Sequence, residues 1–214
     1  ARPNLSYVVR KDGNKYEQLM RVLRGVEGSG IVYASTRERC EELAATLTKD
    51  GISATFYHAG LPVVERSIRQ DEWQTNKIRV MVATNAFGMG IDKGDVRFVI
   101  HYSMCDTLEA YYQEAGRAGR DGKRSYAMLI YDDNDLSLRR RILESEFPPI
   151  EEVKHIYERI ANYLQIPIGD ACGASFAFNI HDFCLRERIF INRVRSAIAL
   201  LEQNGYLTLT DEHD

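Results

Sequence analysis

Tyr111-Tyr112-Gln113-Glu114-Ala115-Gly116-Arg117-Ala118-Gly119-Arg120-Asp121-Gly122 sets two arginines, Arg117 and Arg120, among three glycines. Glycine lets a backbone bend sharply and approach another surface closely. Arginine forks bind phosphate oxygens in a fixed geometry and never lose their charge. The stretch is built to touch a polyphosphate. Yet the chain has no Gly-x-x-x-x-Gly-Lys-Ser/Thr loop to hold one. Asp121-Gly122-Lys123-Arg124 lacks the hydroxyl after the lysine. The reading is half an enzyme, the half that reaches into a nucleotide site held elsewhere, and alone it is expected to be inactive.

Outward from this stretch, residues 1 to about 145 alternate strand and helix patterns. Strands are predicted at Leu5–Arg10, Gly30–Ala34, Ile52–Tyr57, Ile78–Ala83, Val96–Tyr102 and Ser125–Tyr131. Helix faces are marked by Tyr16, Leu19, Met20 and Leu23, and by Cys40, Leu43, Ala44 and Leu47. Pro62 suits the first turn of a helix reaching about Gln74, and Thr107–Ala115 reads as helical. A charged helix starts near Asp133. Strands alternating with helices imply a mainly parallel sheet covered on both faces, with ligands at the carboxyl ends of its strands.

Pro148-Pro149 marks a predicted boundary, giving domains at 1–147 and 148–214. Beyond it come a helix (Ile150–Leu164), a Gly-rich loop (Ile168–Gly173) and a short strand (Ser175–Asn179). A short helix (His181–Arg188), a longer one (Asn192–Asn204) stopped by Gly205, and a strand (Tyr206–Thr210) complete the order of a winged helix without a full wing.

The formal charge of −3 argues against wholesale coating of nucleic acid but allows a local basic strip. A hydrophobic fraction of 44% is globular, and no apolar run is long enough to span a membrane. The opening Ala1-Arg2-Pro3-Asn4 has neither an initiator Met nor a signal-peptide pattern, which fits a fragment of a longer polypeptide. Cys40, Cys105, Cys172 and Cys184 form no Cys-x-x-Cys, as expected of reduced thiols in the cytosol.

Three strand-end loops carry polar chemistry. Ser35-Thr36-Arg37 offers hydroxyls and a helix N-terminus to one phosphate; Ser35-x-x-Glu38 also reads as an ordinary capping box. Tyr57-His58-Ala59-Gly60-Leu61 ends the next strand and alone is a turn with a half-buried histidine. Ala83-Thr84-Asn85-Ala86-Phe87-Gly88-Met89-Gly90-Ile91-Asp92 runs from a strand into a polar pair and then two glycines around a large apolar residue. Thr84 there suits a backbone phosphate.

In this order the segments resemble the second helicase domain of superfamily 2 nucleic-acid motors. The Ala83–Lys93 and Tyr111–Gly122 stretches are similar to those of the RecQ family of DNA helicases, and Arg2-Pro3-Asn4 resembles that family's junction between motor domains. The resemblance covers residues 2 to about 145. It implies a RecA-like α/β domain and a 3′ to 5′ DNA helicase that uses ATP and Mg2+ in repair or recombination. Arg120 resembles the arginine finger, Arg117 its companion, and Gln113 the residue ordering their loop. Gly90 and Asp92 would face the nucleotide, Asp92 near the ribose. Ser35, Thr36, His58 and Thr84 would line the track of a single strand. The implied partners are single-stranded and duplex DNA and the N-terminal helicase domain of the same polypeptide. The implied state is a monomer, cytoplasmic and nucleoid-associated in a bacterium, with no membrane.

The tail departs from the family's four-cysteine zinc platform. Cys172, His181 and Cys184 match no standard zinc spacing, and no metal is expected. Arg186, Arg188, Arg193 and Arg195 concentrate positive charge, with Arg193 and Arg195 placed to meet duplex DNA from the longer helix; a solvated helix face reads the same. Two rivals remain. A superfamily 2 RNA helicase or remodeller commonly has a His-Arg pair where Gln113-Glu114 stands. A receiver-type regulator with a winged helix needs acidic clusters where Ser35-Thr36-Arg37 stands.

Overall fold

Strands β2 (Ser29–Tyr33) and β4 (Val80–Ala83) bury every residue, which only a sheet covered on both faces permits. They are neighbours in a six-stranded sheet with β1 (Leu5–Lys11), β3 (Ala54–Tyr57), β5 (Val96–His101) and β6 (Ser125–Tyr131). The order is β1-β6-β5-β2-β4-β3, and every pair is parallel. The computed structural model describes residues 2–88, 91–167 and 173–210. The fold is the expected RecA-like α/β domain.

Period-two alternation sorts the strand side chains into two cores. Val32, Val80, Val82, Phe98, Ile100, Met128 and Ile130 meet α1 (Lys15–Gly25) and α2 (Arg37–Lys49) on one face. Ile31, Tyr33, Met81, Ala83, Val99 and Ala127 meet Trp73 of α3 (Val63–Gln74) and Ala115 of α4 (Leu108–Ala115) on the other. Gly30 is where the Phe98 ring lies on bare backbone: an added Cβ would sit 2.1 Å from its carbons. Trp73 crosses the sheet on the opposite side and donates its Nε1–H to the Gly30 carbonyl at 3.1 Å.

Local signals explain most helix starts. Asn14, Thr36 and Thr107 cap α1, α2 and α4 with side-chain oxygens. The capping box at Ser35 is thus corrected by one residue. Thr36 Oγ1 accepts from the Arg39 N–H at 3.1 Å, while the Ser35 N–H donates to Ser103 Oγ. Its own backbone N–H, with the Thr36 hydroxyl beside it, holds the Glu38 carboxyl below its usual range.

The chain divides into two compact units, Ala1–Leu136 and Ser137–Asp214. The division falls inside α5 (Asp133–Glu146), ahead of the expected boundary at Pro148-Pro149. The first turn of α5 is tied back by Lys15 to Asp135 at 2.7 Å, while no side chain of this helix is buried, so it belongs to neither core. Pro149 instead begins the next helix as its N-cap.

The second unit packs α6 (Ile150–Tyr163), α7 (Ile180–Glu187) and α8 (Ile191–Gln203) around Ile156, Phe183, Val194 and Ile198. Neither expected strand, Ser175–Asn179 or Tyr206–Thr210, forms, and among the described residues this unit has no strand. A lone strand without a ladder leaves its backbone unpaired, and these segments found other seats. Phe178 packs on Tyr163 and Phe183, Tyr206 on Tyr157, and the Leu209 N–H donates to Glu202 Oε1 at 3.0 Å. Most of the Gly-rich loop, 168–172, lies outside the described residues.

Candidate nucleotide and nucleic-acid interface

The sequence placed every ligand at the carboxyl edge of the sheet. The structure divides the candidates between two edges. At the carboxyl edge, β5, β2, β4 and β3 lie side by side, so their exit loops form a row. At about 4.8 Å per strand the row is roughly 14 Å long. It holds Ser103 and Ser35 with Thr36, then Thr84, then His58. Backbone bonds fix the sequence of loops: Ala34 N–H to the Ala83 carbonyl at 2.9 Å and Thr84 N–H to the Tyr57 carbonyl at 3.2 Å. Ser35, Thr36 and Arg37 are exposed and Thr84 partly so. His58 differs. Its ring is buried, stacked on Phe56, and its Nε2 is 2.9 Å from Glu41 Oε1. It supports this edge from beneath.

The arginine turn lies at the opposite edge. Helix α4 leads back across the sheet, and the Gly119 N–H bonds the Val96 carbonyl at the start of β5. Gly119 has φ +66° against Asn4 and Ser125, where an added Cβ would lie 2.6 Å from Asn4 Nδ2. Asn4 Nδ2 donates to the carbonyls of Gly119 and Lys123, and Arg2 Nη1 to that of Ala118. The Arg2-Pro3-Asn4 segment therefore braces the turn, a role spacing alone gave no sign of. Arg97 clamps the far side through Asp121 at 2.6 Å, which holds the Asp121 carboxyl low.

The β4–β5 connection links the two edges, and its described residues form no helix. Phe87 is buried against Tyr57 and Trp73. Lys93, also buried, ends the crossing on Asp95 at 2.8 Å and on the Gln74 carbonyl. Gly90 lies outside the described residues.

The two arginines have different surroundings. Arg117 is only 9% exposed. Its Nη1 donates to the Gly88 carbonyl, and its guanidinium fills the space a Gly88 Cβ would need, at 2.1 Å. Arg120 has a side chain 35% exposed, and its Nη1 is 3.0 Å from the Ile91 carbonyl and 3.3 Å from Asp92, which is 95% exposed. An ion pair so open to water contributes about 0–1 kcal/mol. Arg120 can leave it at little cost; Arg117 cannot leave its seat. Gln113 is exposed, and among the described residues no hydrogen bond to its side chain is seen.

Sequence reasoning missed Glu114 and His101. Glu114 is buried on α4 and accepts from His101 Nε2 at 2.8 Å. Tyr33 stacks on that imidazole and donates its hydroxyl to the Phe87 carbonyl. Burial pushes the Tyr33 phenol up, so it stays a donor. The signal was helical spacing: Glu114 falls three residues after Tyr111 and one before Ala115, on the face that packs on the sheet. In the second unit Arg193 is engaged, donating to the Glu144 carbonyl at 2.5 Å and pairing with Glu152 at 3.3 Å. Arg195 is exposed.

A parallel RecA-like sheet with a glycine-rich crossing and an arginine turn defines the carboxyl-terminal motor domain of a superfamily 2 helicase. Residues 14–122 match the family described as helicase conserved C-terminal domain, and the chain belongs to that family. It is 50% identical over 137 residues to the ATP-dependent DNA helicase hus2/rqh1 of Schizosaccharomyces pombe, covering 63% of this chain and 10% of that protein. It is 39% identical over 167 residues to the ATP-dependent DNA helicase RecQ of Haemophilus influenzae, covering 77% of this chain and 27% of that one. Against the probable ATP-dependent DNA helicase RecS of Bacillus subtilis it is 41% identical over 159 residues, with coverage of 72% and 32%. Within the family the chain is thus of RecQ type. It spans 10% to 32% of the length of these relatives. Among solved structures, a DEAD box protein from Methanococcus jannaschii superposes with a TM-score of 0.56 at 31% identity, over 66% of this chain and 39% of that one.

Proposed function

We propose that this chain is the second motor domain of an ATP-dependent DNA helicase that moves 3′ to 5′ and acts in repair or recombination. The observation that carries the reading is the contrast between a locked Arg117 and a releasable Arg120 on one turn. Arg120 is the arginine finger, reaching the terminal phosphates of ATP when the two motor domains close. Arg117 holds the glycine crossing in place, with Gln113 beside them. Asp92 faces the nucleotide, toward the ribose. An arginine supplied in this way accelerates phosphoryl transfer roughly 10³ to 10⁵-fold.

The nucleotide and its Mg2+ are held by the N-terminal helicase domain. The residues here fit that division. The one cluster of ligand-class side chains among the described residues joins a single carboxylate to an imidazole and a thiol, a set that suits Mg2+ poorly. Ser35, Thr36 and Thr84 grip the phosphates of a single strand, with His58 propping their edge. Closing and opening of the cleft then moves that grip along the strand. Arg195, with Arg193 anchoring its helix, contacts duplex DNA. The protein works as a monomer.

A second reading, an RNA-directed motor, draws on the RNA-helicase Prp28 of Chaetomium thermophilum bound to ADP, which superposes with a TM-score of 0.56 at 25% identity. The Gln113-Glu114 pair and the named DNA helicases favour DNA. The test compares DNA-stimulated phosphate release by the 214-residue chain and by the full-length protein. The full-length protein is expected to turn over and the chain alone to be silent. Turnover by the chain alone at the intact rate overturns the half-site reading.

A further inference from the structure

We propose that His101, Cys105 and Glu114 form a binding site for a divalent cation of the zinc class, with water as the fourth ligand. One ligand atom from each of the three lies within 4.8 Å of the other two. Both other groups converge on one carboxylate oxygen: His101 Nε2 is 2.8 Å and Cys105 Sγ 3.4 Å from Glu114 Oε2. A tetrahedral ion about 2.0–2.3 Å from each ligand holds its ligands roughly 3.3–3.8 Å apart. Shifts of about an ångström or less bring the three onto one ion.

The donor set is imidazole, thiolate and carboxylate, the chemistry that selects Zn2+ over Mg2+ or Ca2+. On binding, the Cys105 thiol proton leaves to solvent. One thiolate and one carboxylate then balance the charge of the ion, the neutrality a buried site requires. His101 is fully buried and Glu114 nearly so, whereas Cys105 is partly exposed, which leaves a path for the cation and its water.

The site joins the end of β5 to α4, three residues ahead of Arg117, so occupancy ties the arginine turn to the sheet.

The probe is Co2+, added to the tag-free 214-residue chain. One equivalent should give tetrahedral d–d bands and a thiolate-to-cobalt charge-transfer band, both displaced by Zn2+, and should raise the melting temperature. Cys105→Ser should abolish the charge-transfer band. His101→Gln and Glu114→Gln should each weaken binding at least ~10-fold. Cys172→Ser and Cys184→Ser should leave the spectrum unchanged. Cys40 does not compete, because burial pushes its thiol up to about 12. Should Glu114→Gln fail to fold, Cys105→Ser still decides, since it keeps shape at a partly exposed position. Absence of the charge-transfer band in the unmodified chain overturns the proposal. So does a band that survives Cys105→Ser, because it assigns the ion to other cysteines.

Discussion

Arg117→Ala tests whether one arginine of the turn is locked in place while the other is free to move. The buried Arg117 guanidinium donates to the Gly88 carbonyl and fills the space above that glycine. Truncation leaves the carbonyl without its donor, at about 1–3 kcal/mol, and opens a cavity that adds about 1–2 kcal/mol. Removing Arg117 Nε, itself buried without a partner, returns part of this. The net loss is roughly 2–3 kcal/mol. With a urea slope of about 1–3 kcal/mol per molar, the midpoint falls by about 1 M or more. Trp73 is the single tryptophan and is fully buried in the first unit, so its fluorescence follows that unit alone. Arg120→Ala, which removes the open pair with Asp92 and the hydrogen bond to the Ile91 carbonyl, is expected to stay within about 1 kcal/mol of the parent. Arg117→Lys keeps the charge but loses the fork, and should resemble the alanine variant. If Arg117→Ala unfolds at the parent's urea concentration, or if the two alanine variants fall together, the assignment of a locked and a free arginine is wrong.

Gly30→Ala forces a Cβ to 2.1 Å from the fully buried Phe98 ring and should cost about 1–3 kcal/mol in the same fluorescence titration; an unchanged midpoint would mean the ring can move. In the full-length protein, Thr84→Ala should weaken single-strand binding and make its salt dependence shallower by somewhat under one unit of log–log slope, with no loss of fold. Arg195→Ala should weaken duplex binding while leaving single-strand-stimulated hydrolysis intact. Unchanged affinity and slope in the first variant, or unchanged duplex affinity in the second, would remove those residues from the DNA path.

The first unit was legible because buried parallel strands write themselves as short apolar runs. Val80–Ala83 and Val96–His101 are such runs, and capping threonines at 36 and 107 mark where the chain turns into helix. What the sequence hid is where loops go after leaving the sheet. Arg117 and Arg120 look alike as text. Only the return of α4 to the start of β5 puts one beneath Gly88 and the other at the surface. His58 looked like a strand-end contact because burial by Glu41, on a different element, is a tertiary fact. Arg2 and Asn4 brace a turn more than a hundred residues away, beyond any local pattern. In the second unit, Ser175–Asn179 and Tyr206–Thr210 have strand-like composition, but Phe178 and Tyr206 pack on helices and no ladder forms. Propensity yields there to packing.

The most direct test of the central claim is ATP hydrolysis by the full-length protein carrying Arg120→Ala, with nucleotide affinity measured alongside. The finger role requires turnover to fall about 10³-fold or more, at least about 4 kcal/mol of transition-state stabilisation, while ATP binding and the fold stay near normal. A variant that hydrolyses ATP at the normal rate would contradict it.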